Sequence, residues 1–323
     1  MPAPLAGISL TPSRICLGSV VFGSYISRDE SFRVMDAFAE AGGNFLDTAH
    51  IYSAWIEGHW GTSERTLGEW VRARGNREDI IVATKGGHSP IEDTTKVGRL
   101  SRADLEHDLS ESLERLQMDY ADLYYIHFDE PNRPIEEIVD SLADIQASGR
   151  IRAYGLSNFA TDRIQAAIDY AAKRGLPPCV ASEPWFSLGA VANGPKAESP
   201  TREEDDPLRA WHVESGLPMI PYSSQANGYF GAANVAWAKD GFQGEPKLAG
   251  SFDSPANRRR LLRAIELAEK KDCTPNQIAL AYLLNQPFPI YPIIGTGNPD
   301  HAREALGAVG ITLTGEERSS LFR

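Results

Sequence analysis

Residues 101–127 read SRADLEHDLSESLERLQMDYADLYYIH, and this stretch carries both halves of a repeating unit. Ser101 and Asp104 have the spacing of a capping box, and Leu105, Leu109, Leu113 and Leu116 then fall on one face of a 3.6-residue period. That predicts an amphipathic helix. After a short polar break the run 122–127 is almost continuously apolar, with no polar alternation, which predicts a strand covered on both faces. Working outward, further apolar, β-branched runs lie at 14–17, 44–47, 80–85, 153–157, 180–183, 218–222 and 291–294. Helical stretches separate them, for example 31–41 closed by Gly42-Gly43, 135–148 closed by Gly149, and 161–174 closed by Gly175. Strict alternation with eight strands predicts the α/β class and closure into a (β/α)8 TIM barrel, one unit over residues 1–323. The connections 53–63, 86–100, 188–209 and 226–254 are longer than closure needs, and all follow strands. They are therefore expected as lids on the C-terminal face, where barrel enzymes keep their sites. The late pair is rich in Gly, Asp, Glu and Pro, a composition that suits partial disorder.

Composition narrows the partners. The net charge of −12 argues against a phosphate-backbone footprint, so no nucleic acid partner is expected. No stretch approaches a membrane span and the first residues lack a signal-peptide pattern, so a cytoplasmic protein without membrane contact is expected. Cys16, Cys179 and Cys273 are odd in number and far apart, which fits reduced thiols better than a disulfide framework or a metal cluster. No exposed apolar stripe marks a subunit interface, so the oligomeric state stays open.

Four ionisable residues stand at or just beyond predicted strand ends: Asp47 and Tyr52 in NFLDTAHIYS, Lys85 in IIVATKGG, and His127 in LYYIHFDEP. Taken singly, each has a bland reading: a turn cap, a half-buried aromatic, a solvated lysine, a hydrogen-bonded core histidine. On a closed barrel they converge on one mouth. Together they make a proton-handling group, because a phenol of pKa about 10 needs a neighbouring cation before it exchanges protons readily. Lys85 supplies the cation, Asp47 holds the ammonium, and His127 offers a hydrogen bond to a substrate oxygen.

With these residues in place the chain resembles the aldo-keto reductase family over nearly its whole length. Gly43-Asn44-Phe45-Leu46-Asp47-Thr48-Ala49-x-x-Tyr52 is similar to the family's second-strand segment, Ala83-Thr84-Lys85 and Leu123-Tyr124-Tyr125-Ile126-His127 stand where it carries its lysine and histidine, and Gly155-Leu156-Ser157-Asn158-Phe159 matches its G-x-S-N-F strand end. The resemblance implies carbonyl–alcohol interconversion with a nicotinamide cofactor stretched across the barrel mouth and Asp47, Tyr52, Lys85 and His127 as the catalytic set. It implies Ser157 and Asn158 on the carboxamide, Tyr222 stacked on the nicotinamide ring, and Ser223, Gln225 and Asn227 near the pyrophosphate. The segment bearing Gly295, Thr296, Gly297, His301 and Glu304 would meet the adenosine end. Two departures stand out. Glu183 replaces the glutamine that many members set against the carboxamide, and Gly295, Gly297 and His301 fill positions that are often basic. NADP(H), the family's usual cofactor, is favoured, with NAD(H) as the alternative; the Arg258-Arg259-Arg260 cluster is either a compensating phosphate grip or a solvated helix face.

The substrate is expected to be a small molecule. Trp55, Glu57, His59 and Trp60 follow Tyr52, and His88, Phe128, Asp129, Glu130, Trp185 and Phe186 lie at other strand ends. Flat aromatics mixed with carboxylates and imidazoles suit a sugar, polyol or other oxygen-rich cyclic compound, with Trp55, His59, Trp60, His88, Phe128 and Trp185 as the contact set. Two other classes compete. A metal-dependent barrel hydrolase could draw on His50, His59, His88 and His127, but no H-x-H or H-E-x-x-H spacing supports it and Lys85 would repel a cation, so no metal is expected. A redox-sensing subunit that holds the cofactor and turns over slowly, as ion-channel β-subunits with this fold do, shares the same residues.

Overall fold

The computed structural model describes residues 5–91, 99–190 and 207–322, so 92–98 of the 86–100 connection and 191–206 of the 188–209 connection lie outside the described residues. Along the chain run β1 (Cys16–Gly18), α1 (Arg28–Glu40), β2 (Phe45–Asp47), α2 (Thr62–Arg74), β3 (Ile81–Gly86) and α3 (Arg102–Leu116). β4 (Ala121–Ile126), α4 (Ile135–Ala147), β5 (Ile151–Ser157), α5 (Thr161–Arg174), β6 (Cys179–Glu183) and α6 (Pro207–Ser215) follow. The last part holds α7 (Ala232–Lys239), α8 (Pro255–Lys271), α9 (Pro275–Leu284), β7 (Ile293–Gly295), α10 (Pro299–Gly307) and α11 (Gly315–Phe322).

All strand pairs are parallel, in the order β6-β5-β4-β3-β2-β1-β7. The eighth expected strand, 218–222, forms no full ladder, yet it closes the curled sheet into a barrel. On the β6 side Ser182 donates to the Pro218 carbonyl and accepts from the Ile220 amide, and on the β7 side Met219 donates to the Pro289 carbonyl while Tyr291 and Ile293 donate to the Met219 and Pro221 carbonyls. The reason the ladder is thin is chemical. Pro184, Pro218, Pro221 and Pro289 have no N–H, and across this seam they only accept, for instance Ser182 N–H to the Pro218 carbonyl at 3.0 Å and Ile293 N–H to the Pro221 carbonyl at 2.9 Å. The architecture is the expected (β/α)8 barrel.

The lumen is filled rather than open. Phe45, Ile81, Leu123, Tyr125, Ile220 and Tyr291 meet there, and Leu5 and Ile8 join the same cluster with Gly7 against Arg152 at the start of β5. Outside the sheet, Leu105, Leu109 and Leu113 of α3 are buried with Tyr124 and Ile138, the amphipathic face foreseen for that helix. Ser101 caps it by accepting from the Asp104 amide, and Gln117 ends it in the left-handed region. Gly68 lets α2 settle on α3, since a Cβ there would stand 2.1 Å from the Leu116 carbonyl oxygen. Residues 226–254, whose composition suited disorder, instead carry α7, with Trp237 buried against Phe242 and its indole bonded to the Gly244 carbonyl. Among the described residues no helix is long and apolar enough to cross a membrane. Cys16 and Cys179 are buried free thiols, and Cys273, beyond the end of α8, is half-buried.

Candidate active site

Parallel strands deliver their last residues to one face, and here Gly18, Asp47, Ser157, Glu183 and Gly295 each end a strand, Lys85 precedes the last residue of β3, and His127 follows β4 directly. Lys85 is the centre of what results. Its ammonium, 1% exposed, donates to both carboxylate oxygens of Asp47 at 2.5 and 2.6 Å, to the Thr48 carbonyl at 3.0 Å and to the Tyr52 hydroxyl at 3.2 Å. Tyr52 is brought back over the barrel by a tight turn in which its amide donates to the Ala49 carbonyl and Ser53 adopts φ 68°. The His127 ring lies edge-on to it at 6.1 Å. The four side chains expected to work together therefore meet.

Their electrostatics follow from burial against charge. Burial pulls the Lys85 ammonium down, but the carboxylates of Asp47 and Glu183 outweigh it and hold the group well above its ordinary value. Burial raises the Tyr52 hydroxyl above the usual phenol value, and Lys85 only partly offsets this. His127 is driven well below the usual imidazole value by burial, with Lys85 and His88 adding to it, so it stands neutral; its Nδ1 is buried without a partner. A neutral imidazole and a phenol beside an ammonium can both donate to an oxygen that gains negative charge.

From this cluster a cleft of about 940 Å³ runs across the mouth, at the upper end of ligand-site sizes. It is lined by Asp47 and Tyr52 at the cluster, by Tyr222, Ser223, Gln225 and Asn227, and by Gly295, Thr296, His301 and Glu304. The Tyr222 hydroxyl donates to the Asn158 side-chain oxygen at 2.8 Å, and the Asn158 amide reaches the His127 carbonyl at 2.9 Å, which ties the ring to the cluster. Ser157 donates to the Glu183 carbonyl. Gln225 accepts from the Gly295 amide, and Thr274 donates to Glu304 at 2.6 Å, bracing the two walls. Ser223, Ala226 and Asn227 hold φ of 53°, 49° and 52°, a strain that ligand-clamping loops commonly carry. Sequence reading missed Gly231, Ala232, Ala233 and Lys239 of the α7 region and Thr274 to Asn276 at the start of α9, all of which line the cleft. The signals available were the alanine-rich run 232–238 and the capping box of Thr274 and Gln277.

Several expected contacts fall elsewhere. Glu183 turns inward to the Lys85 ammonium at 3.2 Å, not outward toward the cleft. Gly297 is exposed beyond the cleft, against Ile26. Arg258 pairs with Asp253 and lies over Trp237, Arg259 is exposed, and Arg260 is buried over Phe322, so only Arg259 is fully solvated and none of the three lines the cleft. Of the substrate set, Trp55 edges Tyr52 at 6.4 Å, His88 edges His127 at 5.0 Å, Phe128 stacks on His127 at 5.2 Å, and Trp185 leans on Tyr222 at 5.7 Å. His59 faces the Gly23 carbonyl, while Trp60 bonds the His50 carbonyl and covers Arg115, on the flank between α2 and α3. Phe186 is in the core against Tyr282, and Asp129 and Glu130 are engaged by Arg163 and Arg133.

The profile of the Aldo/keto reductase family matches residues 14–321. Norsolorinic acid reductase stcV of Emericella nidulans is 29% identical over 330 aligned positions, covering 98% of this chain and 78% of that protein. Aryl-alcohol dehydrogenase (NADP(+)) of Phanerodontia chrysosporium is 28% identical over 345 positions, with 99% and 82% covered. Aldo-keto reductase str7 of Strobilurus tenacellus is 29% identical over 306, with 92% and 81% covered. A closed parallel barrel, a buried lysine–carboxylate–phenol group and a long cleft leading from it agree with this match: the chain belongs to the aldo/keto reductase family and is a nicotinamide-dependent oxidoreductase.

Proposed function

We propose that the protein interconverts a carbonyl and an alcohol on a ring-shaped, oxygen-bearing small molecule, with Tyr52 as the general acid and base. The observation that carries this is the Tyr52 hydroxyl 3.2 Å from a buried ammonium at the inner end of the cleft. The residues present fit a nicotinamide cofactor: Tyr222 offers a ring face, held by Asn158 just behind the lining, and Ser223, Gln225 and Asn227 carry the cleft outward past Gly295 and Thr296. When bound, that group supplies or accepts the hydride. Lys239, with the His301 ring as a hydrogen-bonding neighbour in the same lining, could meet a 2′-phosphate, which supports NADP(H) over NAD(H).

In reduction the substrate oxygen sits between the Tyr52 hydroxyl and the His127 ring. As negative charge grows on it, Tyr52 gives up its proton and Lys85 stabilises the phenolate left behind. A phenol raised above its ordinary value is still a far better acid than the alcohol it protonates, so burial does not defeat the step. Asp47 keeps the ammonium aimed, and neutral His127 orients the oxygen without competing for the proton.

Around the mouth, Trp55, His88, Phe128 and Trp185 offer flat faces for C–H surface, with the His88 imidazole among them for a hydroxyl. This supports a sugar, polyol or related oxygen-rich ring. An aromatic carbonyl is the second reading, favoured because Asp129 and Glu130 are already paired and because an aryl-alcohol dehydrogenase is among the relatives. The test is a fluorescence titration of NADPH against NADH, followed by turnover on keto-sugars, polyols and benzaldehydes with Tyr52→Phe as control. Tyr52→Phe is expected to bind the cofactor as the parent does and to lose roughly 10²- to 10⁴-fold in kcat. Undiminished turnover would remove Tyr52 from the acid role, and benzaldehydes outperforming keto-sugars would select the second substrate class.

A further inference from the structure

Lys85 has more oxygen neighbours than protons to give them. An ammonium carries three N–H groups, and these are directed to Asp47, the Thr48 carbonyl and Tyr52. Glu183 Oε1 stands 3.2 Å from the same nitrogen, a fifth oxygen around three N–H groups, and Glu183 Oε2 is buried with no partner at all. Glu183 is 1% exposed. A carboxylate in that position would be a second buried negative charge, with one oxygen bonded to nothing, beside a cation already neutralised by Asp47. The other buried glutamate among the described residues shows the contrast, since Glu64 accepts from Thr84 through one oxygen and from Arg115 through the other.

Resting on the reading of Tyr52 given above, we infer that Glu183 carries a proton in the working enzyme, and that this proton leaves Lys85 matched to one carboxylate so that Tyr52 can act as the acid. Glu183 does not touch the reacting atoms; it is a positioning residue that acts through Lys85. The titratable and charged groups facing it are Asp47 from β2, Tyr52 from the turn beyond, Lys85 from β3, Tyr125 from β4 and Cys16 from β1. Burial and the neighbouring Asp47 charge hold the Glu183 carboxyl well above the usual carboxylate range, in the same direction as the donor count. If Glu183 ionises, its charge and that of the Tyr52 phenolate compete for one ammonium, 3.2 Å from each. Proton donation from Tyr52 then slows. At the effective dielectric of such sites, and with the proton only partly transferred at the barrier, the effect is about tenfold in kcat.

The test has one arm that needs no turnover. Infrared difference spectra between unlabelled protein and protein labelled with carbon-13 at the glutamate carboxyls are expected to show the carbonyl stretch of a protonated glutamic acid at neutral pH, retained in Tyr52→Phe and absent in Glu183→Gln. The labelling assigns the band to glutamate even if Glu183→Gln does not fold. In the second arm, kcat for carbonyl reduction by the parent enzyme falls about tenfold through a single titration on the alkaline side, and Glu183→Gln, which cannot ionise, lacks that fall. Absence of the band, or an alkaline fall that persists in Glu183→Gln, overturns the inference. A band in a protein that reduces no carbonyl instead defeats the assignment of Tyr52 and leaves the protonation of Glu183 standing.

Discussion

Replacing Lys85 by methionine removes the one cation that the buried Asp47 carboxylate can reach through both of its oxygens. Asp47 is 2% exposed and lies 2.5 and 2.6 Å from the ammonium, so the variant leaves a carboxylate in the barrel with neither charge nor donor to meet it. Breaking a buried pair from one side costs about 3–5 kcal/mol. The molecule can reduce this cost in one way, by protonating Asp47. The folded-state pKa of Asp47 in the variant then lies above its unfolded value of about 3.9. The corresponding stability is fully present below that unfolded value and is lost as pH rises through the folded one. The deficit relative to the parent is therefore smallest near pH 4 and grows toward neutrality. Urea denaturation across that range measures it: with a slope of about 3 kcal/mol/M for a chain this long, the midpoint should drop by about 1 to 1.7 M at neutral pH. Asp47→Asn in the Lys85→Met background should recover more than about 1 kcal/mol of the loss. A midpoint shift that is the same at every pH, or strictly additive effects in the double variant, would refute the claim that Lys85 neutralises Asp47.

Two further outcomes are expected. Trp55→Ala should raise KM for the substrate severalfold, because its ring edges Tyr52, while Trp60→Ala should leave KM alone and lower stability by about 1 kcal/mol through loss of its bond to the His50 carbonyl; steady-state kinetics with paired melts decide this, and equal KM effects would contradict it. Gly68→Ala places a Cβ 2.1 Å from the Leu116 carbonyl, backbone on both sides, so a loss of about 1–3 kcal/mol and a drop of several degrees in Tm are expected, and an unchanged Tm would mean that α2 and α3 separate freely.

The barrel was legible because parallel strands buried on both faces leave continuous apolar runs, and because Gly42, Gly149 and Gly175 punctuate the helices between them. Asp47, Lys85 and His127 could be placed at one mouth from strand order alone. What escaped reading depends on side-chain direction or on backbone. α2 starts at Gly61 with no capping side chain and carries Gly68 inside, so it lacks an N-terminal signature. The cleft wall at Gly231, Ala232 and Ala233 is small residues in a segment whose composition suggested disorder. Trp60 is turned onto Arg115 by left-handed turns at Gly58 and Gly61, a contact between distant segments that local pattern does not encode. Glu183 was visible as a departure from the family pattern, but its approach to Lys85 crosses the lumen from β6 to β3.

The seam at 218–222 bears on what happens when the barrel breathes. Sheet edges are dangerous because free amides and carbonyls invite strands from other molecules, and a barrel hides them only while shut. Parting at this line bares, between the amides of Ser182, Met219, Ile220, Tyr291 and Ile293, the residues Pro184, Pro218, Pro221 and Pro289, which can receive a visiting strand's amides but return none. The line where the ladder is thinnest thus offers a stranger a broken row of donors, a partial safeguard against aggregation written into the same prolines that thin it.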